Sequence, residues 1–165
     1  MLEKYKNTKD EDIQSFLNSK AMNFEERKLC NTYLLIDEER DKDKRIEGYF
    51  TLSFKVYEFK GISNSMKKRL CNGFSNRASI PVILIGQLGK YVDEYNENYG
   101  CTSANELLDM AFSIIEEVTQ RVPCSCVLLE CKVDEDKEKL QSIYLDYGFE
   151  EICRDSSYIQ YGYKL

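Results

Sequence analysis

The stretch that decides the fold is Ile80-Pro81-Val82-Ile83-Leu84-Ile85-Gly86-Gln87-Leu88-Gly89-Lys90. Its first half is continuously apolar and its one proline lies at the start, which is typical of a strand buried on both faces in the middle of a sheet. Gly86 and Gly89 then interrupt the apolar run. Glycines at such points indicate a bulge, a strand end or a close approach to the backbone. The stretch therefore predicts a central strand.

Upstream of this strand, the sequence predicts a helix followed by a hairpin. Apolar residues recur with helical spacing behind the acidic start Asp10-Glu11-Asp12, so residues 10–27 are predicted to form an amphipathic helix. Tyr33 to Asp37 and Ile46 to Phe59 are the two predicted strands, and the charged run between them predicts a solvated turn. Residues from Lys60 to Ser79 predict a loop with one short helix.

Downstream, two helices and three further strands are predicted. Ser103-Ala104-Asn105-Glu106 matches a capping box, which predicts that a helix of about four turns begins at Ser103. Cys126 to Leu129 predicts a buried strand, Asp134 is expected to open the next helix, and Gly148 is expected to stop it. The chain then alternates as a final strand pair. This order predicts a single α/β domain with a mixed sheet over residues 1–165.

The composition excludes several kinds of chemistry. The chain has no histidine, so His-based triads, His-ligated metals and imidazole relays are excluded. Its 7 cysteines include no Cys-x-x-Cys pair, which predicts buried, reduced thiols of a cytoplasmic protein rather than a disulfide scaffold or a metal site. The longest apolar run, Ile80 to Ile85, is short and no cationic leader precedes an apolar stretch, so neither a signal peptide nor a membrane span is expected.

The layout of charge is more informative than its sum. A net charge of −6 argues against a general polyanion binder. From Lys55 to Arg77, however, six basic residues accompany the single acid Glu58, whereas Asp93 to Gln120 holds seven acids and no base. Blocks of this size are usually solvated faces, and the basic block is the one place where a local anionic partner is expected.

The strand, loop and capped helix between Ile83 and Val118 predict an anion site. A helix N-terminus offers amide donors and the positive end of the helix dipole, which suit a phosphate. The segment has neither a Walker lysine nor the three-glycine dinucleotide pattern. An ordinary capped helix would have the same local sequence, so both interpretations stay open.

Residues Ile80 to Phe149 resemble the core of the GNAT superfamily of acetyl-CoA-dependent N-acetyltransferases. The stretch Ile143-Tyr144-Leu145-Asp146-Tyr147-Gly148-Phe149 is similar to the family's Phe-Tyr-x-x-x-Gly-Phe, and Ile85 to Lys90 resembles its Leu-Gly-Arg-Leu-Ala-Val strand. Upstream, Asn31 to Asp37 and Glu47 to Ser53 resemble the GNAT toxins of toxin–antitoxin pairs. The resemblance implies a mixed, mostly antiparallel central sheet flanked by helices, with a splayed central strand.

The resemblance also implies the site residues and acetyl-CoA as cosubstrate, with no metal. Backbone amides of Leu88, Gly89 and Lys90 would orient the pantetheine and the thioester, and Tyr144 would be the general acid for the CoA thiolate. A core position is the alternative interpretation of Tyr144. Glu130 is considered as a general base, but an edge or surface carboxylate is the preferred interpretation. An ordered-water relay would serve equally as the base. The implied pyrophosphate contacts are the main-chain groups of Gly100, Cys101, Thr102, Ser103 and Ala104.

This pyrophosphate loop departs from the family's Arg/Gln-x-x-Gly-x-Gly/Ala. With the helix aligned on Leu107-Leu108, the loop is Tyr99 to Ala104, and only Ala104 fits the pattern. The other register, Glu97 to Thr102, aligns Gly100 with the required glycine but places an acid where a cation or amide is expected. We prefer the first register. Thr102 lacks the freedom of glycine, so weaker or altered CoA binding is expected.

The resemblance implies direct acetyl transfer, in a ternary complex, to a primary amine on a small molecule or a protein. Two alternatives stay open. One is acetylation of the amino group of aminoacyl-tRNA, as the toxin-like pattern implies. The other is a catalytically degenerate domain that acts as a binding module; a homodimer is compatible with each. Five cations of the basic block would contact tRNA phosphates, namely Lys60, Lys67, Lys68, Arg69 and Arg77.

Overall fold

A six-stranded sheet forms the centre of the fold. The computed structural model describes residues 2–37, 45–93, 102–133 and 138–165. The strands are β1 (Asn31–Asp37), β2 (Arg45–Glu58), β3 (Ser79–Lys90), β4 (Cys126–Lys132), β5 (Glu150–Arg154) and β6 (Tyr158–Lys164). Their order in the sheet is β1-β2-β3-β4-β6-β5. The β3–β4 pair is parallel, whereas β1–β2, β4–β6 and β5–β6 are antiparallel, which confirms the predicted mixed, mostly antiparallel sheet.

The first helical region begins where the sequence predicts but is not a uniform α-helix. It consists of α1 (Glu11–Ser15), a π-helical segment (Phe16–Lys20) and α2 (Ala21–Glu26). The Asp10 side chain caps it by accepting from the backbone N–H groups of Asp12 and Ile13. The wider π turn was not predicted, because a one-residue widening leaves the apolar spacing almost unchanged. The region still buries Phe16, Leu17 and Ala21.

The remaining helices are α3 (Asn64–Leu70), α4 (Ala104–Thr119) and α5 (Glu138–Tyr147), and a 3₁₀ turn covers Leu2–Lys4. Gly148 ends α5 as predicted, with a φ of 112° that L side chains rarely adopt. The Phe149 N–H then donates to the Tyr144 carbonyl over 3.0 Å, which satisfies a terminal helix acceptor. The predicted start of this helix at Asp134 lies outside the described residues, as does the charged turn between β1 and β2.

Contacts within the chain define two compact units. The first contains Met1–Ser53 and Gly86–Phe112, and the second contains Phe54–Ile85 and Ser113–Leu165. Strands β2 and β3 and helix α4 each contribute residues to both units. The single domain over residues 1–165 stays a prediction.

The first unit has an aromatic core. Tyr5 meets Tyr49 edge to face with 5.4 Å between ring centroids, and it meets Tyr91 in the same way at 6.2 Å. Such edge-on pairs stabilise a core beyond the area that they bury. The buried members of this cluster are Tyr5, Phe16, Leu17, Ala21, Ile46, Tyr49 and Tyr91.

The second unit is built around the first half of β3 and around β4. Val82 and Ile83 point to opposite faces of the sheet and are 0% and 3% exposed, which confirms a strand buried on both faces. The β3–β4 ladder runs from Ile83↔Val127 to Ile85↔Leu129, and β3 continues beyond it to Lys90. This extension is the feature of a splayed central strand. The buried cluster consists of Tyr57, Phe59, Ile62, Leu70, Cys71, Ile80, Val82, Cys126 and Leu128.

Candidate functional site

The second half of β3 carries the amides that the sequence assigned to the thioester. Gly89 is buried, and a Cβ atom there would lie 2.3 Å from Cγ2 of Ile13 and 2.9 Å from both Tyr49 and the Tyr5 hydroxyl. No side chain fits in that space, so close approach is the reason for this glycine. The prediction of a close backbone approach at Gly89 is confirmed.

Alternation along β3 determines which edge each amide faces. The Gln87 N–H donates to Oγ1 of Thr51 over 2.9 Å, and the Tyr91 N–H donates to the Glu47 carbonyl over 2.7 Å, so both point towards β2. The backbone groups of neighbouring residues in a strand point in opposite directions. The amides of Leu88 and Lys90 therefore point to the opposite edge of β3, whereas that of Gly89 points towards β2.

The end of that edge is held by side chains from the chain's first residues. The Lys90 carbonyl accepts hydrogen bonds from the Tyr5 hydroxyl at 2.8 Å and from Nδ2 of Asn7 at 3.1 Å. Burial raises the pKa of Tyr5 far above its ordinary value, so this hydroxyl keeps its proton and donates. Sequence analysis missed these contacts. The one local signal was Asn7, whose Oδ1 accepts from the N–H groups of Lys9 and Asp10, an Asx turn that leads into α1.

The start of α4 shows the predicted capping box. The Glu106 N–H donates to Oγ of Ser103 over 3.1 Å, and the Ser103 N–H donates to Oε2 of Glu106 over 2.6 Å. These hydrogen bonds with Ser103 hold the pKa of the Glu106 carboxyl below its ordinary value. An anion at this helix end would therefore be repelled by the Glu106 carboxylate. The Ser103 amide is not available to it, because that N–H already donates to Glu106.

Only part of the predicted pyrophosphate loop lies in the described residues. Thr102 is buried, Ser103 is exposed and Ala104 is the first residue of α4, so its N–H and that of Asn105 have no intrahelical acceptor. Gly100 and Cys101 lie outside the described residues. The described part fits an anion through Ala104 and Asn105, provided that the anion tolerates or displaces the Glu106 carboxylate.

Tyr144 lies on α5 in the second unit, and it is 3% exposed. Its ring centroid lies 5.7 Å from that of Tyr161 and 6.1 Å from that of Phe149. The structure thus brings together the residues of the Tyr-x-x-x-Gly-Phe pattern in one aromatic cluster. The residues assigned to the thioester and Thr102 to Ala104 belong to the first unit, so Tyr144 belongs to a different unit from the predicted acetyl-CoA contacts.

Glu130, which the sequence offered as a general base, is part of β4 rather than a residue after it. Its Oε1 accepts from Nζ of Lys55 at 3.0 Å and from Nε2 of Gln160 at 2.9 Å. Tyr57 donates to the carbonyl oxygen of the same Gln160 amide over 3.0 Å. This arrangement is that of an ion-paired surface carboxylate, the interpretation that the sequence analysis preferred.

The five cations assigned to tRNA differ in their surroundings. Nζ of Lys60 pairs with Glu58 at 2.6 Å, and the Arg69 guanidinium pairs with Glu150. On α3, Nζ of Lys67 lies 5.9 Å from the centroid of the Phe59 ring, which is within cation–π range. Lys68 and Arg77 are exposed, and Arg77 lines a cavity of about 280 Å³. Lys67, Lys68 and Arg77 are thus the three that form no ion pair shown among the described residues.

The described part of the chain contains neither a candidate metal site nor a candidate membrane-spanning helix. No cluster of three or more metal-ligating side chains occurs there. None of the helices described has both the length and the apolar character that a membrane crossing requires.

Comparison with solved structures identifies the class of fold. Nearly the whole chain superposes on solved structures of GNAT toxins, so it shares their fold, as the sequence pattern implied. No protein-family model matches the sequence, and no curated protein matches it either.

The particular structures are those of KacT and AtaT. A tyrosine-to-phenylalanine mutant of KacT matches with a TM-score of 0.74 and 19% identity, over 99% of this chain and 87% of that one. AtaT complexed with acetyl-methionyl-tRNAfMet matches with a TM-score of 0.73 and 18% identity, over 99% and 87% of the two chains. AtaTR bound with AcCoA matches with a TM-score of 0.71 and 17% identity, over 99% and 86%.

Proposed function

We propose that the protein is an acetyl-CoA-dependent N-acetyltransferase that acts on a primary amine. The observation that carries the proposal is the fold shared, over 99% of this chain, with a toxin complex bound to AcCoA. The amides of Leu88 and Lys90 support it, since they point away from β2 and lie on the part of β3 that continues beyond the ladder with β4. Fixed amide donors of this kind stabilise the oxyanion of an acyl transfer.

The reaction needs few side chains. A neutral amine attacks the thioester carbonyl, so that a C–N bond forms, the C–S bond breaks and the amine loses one proton. In this proposal Tyr144 donates its hydroxyl proton to the departing thiolate, and solvent restores that proton. The amine's proton passes to water or to a base that we leave unassigned, because the Glu130 carboxylate is already ion-paired. No step requires imidazole, which fits a chain without histidine.

Among acceptors, we place the amino group of an aminoacyl-tRNA ahead of a small-molecule or protein amine. Two observations favour it: the similar toxin AtaT is complexed with acetyl-methionyl-tRNAfMet, and α3 exposes cations on a chain whose net charge is −6. Phosphate contacts by such a local patch give affinity that depends steeply on salt. A second partner follows from the same structural similarity. AtaT has been solved bound to the C-terminus of the antitoxin AtaR, so we propose that this chain also binds a peptide-like segment of a partner protein.

The proposal is tested in two stages with the full chain. Isothermal titration should show that acetyl-CoA binds, and acetyl-CoA should also raise Tm by linkage. Incubation with labelled acetyl-CoA should then transfer label to a mixture of charged tRNAs but not to the same tRNAs after deacylation. Label on an added amine or peptide, with none on charged tRNA, would show that the acceptor is a small-molecule or protein amine instead. A chain that binds no acetyl-CoA at saturation would be a binding module instead of an enzyme.

A further inference from the structure

The first residues of the chain form a strap along the end of β3. We use the name N-terminal strap for residues 2–8. The Val92 N–H donates to the Lys6 carbonyl over 3.0 Å, and the Thr8 N–H donates to the Val92 carbonyl over 3.2 Å. Asn7 and Val92 thus form a parallel bridge, so the strap adds a short strand-like segment just beyond Lys90. Nζ of Lys6 also pairs with the buried Asp93 at 3.2 Å.

The Lys90–Tyr91 peptide unit is held from both sides, by the strap on one side and by β2 on the other. The unit consists of the Lys90 carbonyl and the Tyr91 N–H, which point in opposite directions because the peptide bond is planar and trans. The Tyr91 N–H is bonded to Glu47 on β2, while the Lys90 carbonyl is bonded to Tyr5 and Asn7. Rotation of this unit would therefore break hydrogen bonds on both edges at once.

The neighbouring residue has little rigidity of its own. Gly89 precedes Lys90, and a glycine populates a wider range of backbone angles than any other residue. In the structure the Ile13, Tyr49 and Tyr5 side chains fill the space where a Cβ would lie. The Tyr5 hydroxyl thus makes both contacts with this part of β3, since it packs at Gly89 and donates to the Lys90 carbonyl.

We infer that the N-terminal strap is a positioning element for catalysis: Tyr5 and Asn7 hold the Lys90 peptide unit and thereby set the direction of the Lys90 amide that orients the thioester. The first half of this inference concerns the protein without any ligand. The second half rests on the proposed acetyltransferase function. Neither residue touches the reacting atoms in this account, and both act through Lys90.

Whether the strap holds the Lys90 peptide unit is tested with two variants that make the same Tyr-to-Phe substitution. Tyr5→Phe removes the hydroxyl from Lys90, whereas Tyr49→Phe removes a buried hydroxyl of the same cluster that donates to the Ile13 carbonyl at 2.7 Å. Both should lower Tm by a few degrees, since each leaves a part-buried carbonyl with one donor fewer. Hydrogen exchange of the Tyr91 amide, which is bonded to the Glu47 carbonyl, should accelerate about fivefold in Tyr5→Phe and stay at the wild-type rate in Tyr49→Phe. Equal exchange rates in the two variants would overturn the inference.

Asn7→Asp is a second, sharper probe. The aspartate keeps the oxygen that accepts from Lys9 and Asp10, but it replaces the Nδ2 donor with an oxygen that repels the Lys90 carbonyl. Exchange of the Tyr91 amide should accelerate at least as much as in Tyr5→Phe. An Asn7→Asp variant with wild-type exchange at Tyr91 would contradict a role for this contact.

The test of the second half separates the acetyl group from the rest of the ligand. Titration with acetyl-CoA and with CoA gives the ratio of their affinities, which reports contacts to the acetyl carbonyl. Tyr5→Phe should lower this ratio about threefold and Tyr49→Phe should leave it unchanged. An unchanged ratio in Tyr5→Phe would reject positioning of the thioester. Absence of acetyl-CoA binding by the wild type would instead reject the proposed function, while the exchange experiment would still decide whether the strap holds Lys90.

Discussion

Tyr144 is almost completely buried in an aromatic cluster, so its hydroxyl group can be removed with little change in packing. We expect Tyr144→Phe to lower kcat about 100-fold, since loss of a general acid typically costs a factor of 10² or more. The affinity for acetyl-CoA should stay within about twofold of the wild type. Steady-state kinetics with acetyl-CoA and the acceptor would measure both parameters.

The matched control for Tyr144→Phe is Tyr161→Phe, which removes a hydroxyl from the ring 5.7 Å away in the same cluster. It should cost a similar amount of stability, about 1 kcal/mol, but should leave kcat unchanged. Equal kcat values for Tyr144→Phe and the wild type would return Tyr144 to a purely structural role in the core.

At Glu106, the capping role of the side chain can be tested separately from its negative charge. Its carboxylate caps α4 and lies where a bound anion would be stabilised. Glu106→Gln keeps a capping-box side chain and removes the negative charge, so CoA should bind about two- to fivefold more tightly at low ionic strength. Titration of CoA into this variant and into Glu116→Gln, which makes the same charge change in the last turn of α4, would measure the difference. Equal affinities would show that this helix end is not the pyrophosphate site.

The Glu106 cap also predicts a dependence of stability on pH. The folded state lowers the pKa of Glu106 below its ordinary value of 4.5 through its hydrogen bonds with Ser103. The cap therefore contributes fully above pH 4.5, and its contribution is lost as the pH falls through the lowered value. Unfolding monitored by circular dichroism at neutral and acid pH should show that Glu106→Gln loses less stability on acidification than the wild type does.

At the scale of elements, α3 is where an RNA contact can be tested. Its last turn carries three cations, of which Arg69 is ion-paired, so Lys67 and Lys68 are the two to change. We expect Lys67→Glu with Lys68→Glu to weaken tRNA binding and to reduce the slope of log K against log salt by about 2, one for each lost phosphate contact. Acetyl-CoA affinity should not change.

The control for α3 makes the same change in net charge elsewhere. Lys139→Glu with Lys164→Glu alters one residue of α5 and one of β6. Filter binding of charged tRNA over a range of salt concentrations would compare the two double variants. If both lose the same affinity and slope, net charge rather than α3 governs binding, and the local RNA surface is rejected.

At the scale of the whole molecule, the two compact units raise the question of cooperativity. Strands β2 and β3 and helix α4 pass from one unit into the other, so unfolding either unit breaks elements of the other. We therefore expect a single thermal transition with equal calorimetric and van't Hoff enthalpies. Two resolved transitions in differential scanning calorimetry would contradict the predicted single domain over residues 1–165.

The sequence by itself determined the order of the elements and several of their ends. The buried strand around Val82 and Ile83, the capping box from Ser103 to Glu106 and the stop at Gly148 all follow from apolar periodicity and local backbone preferences. Such signals act over a few residues, so they can be seen without the fold. The GNAT-like pattern depends on the same kind of local information.

Only the tertiary structure decided which side chains hold the candidate site. Tyr5 and Lys90 lie 85 positions apart in the sequence, and Arg69 and Glu150 lie 81 apart. No periodicity or motif links such pairs, because packing brings them together only after the sheet and helices have formed. The same reason explains why the sequence assigned Arg69 to tRNA, whereas the structure pairs it with Glu150. Lys60 differs, since its partner Glu58 lies only two positions away.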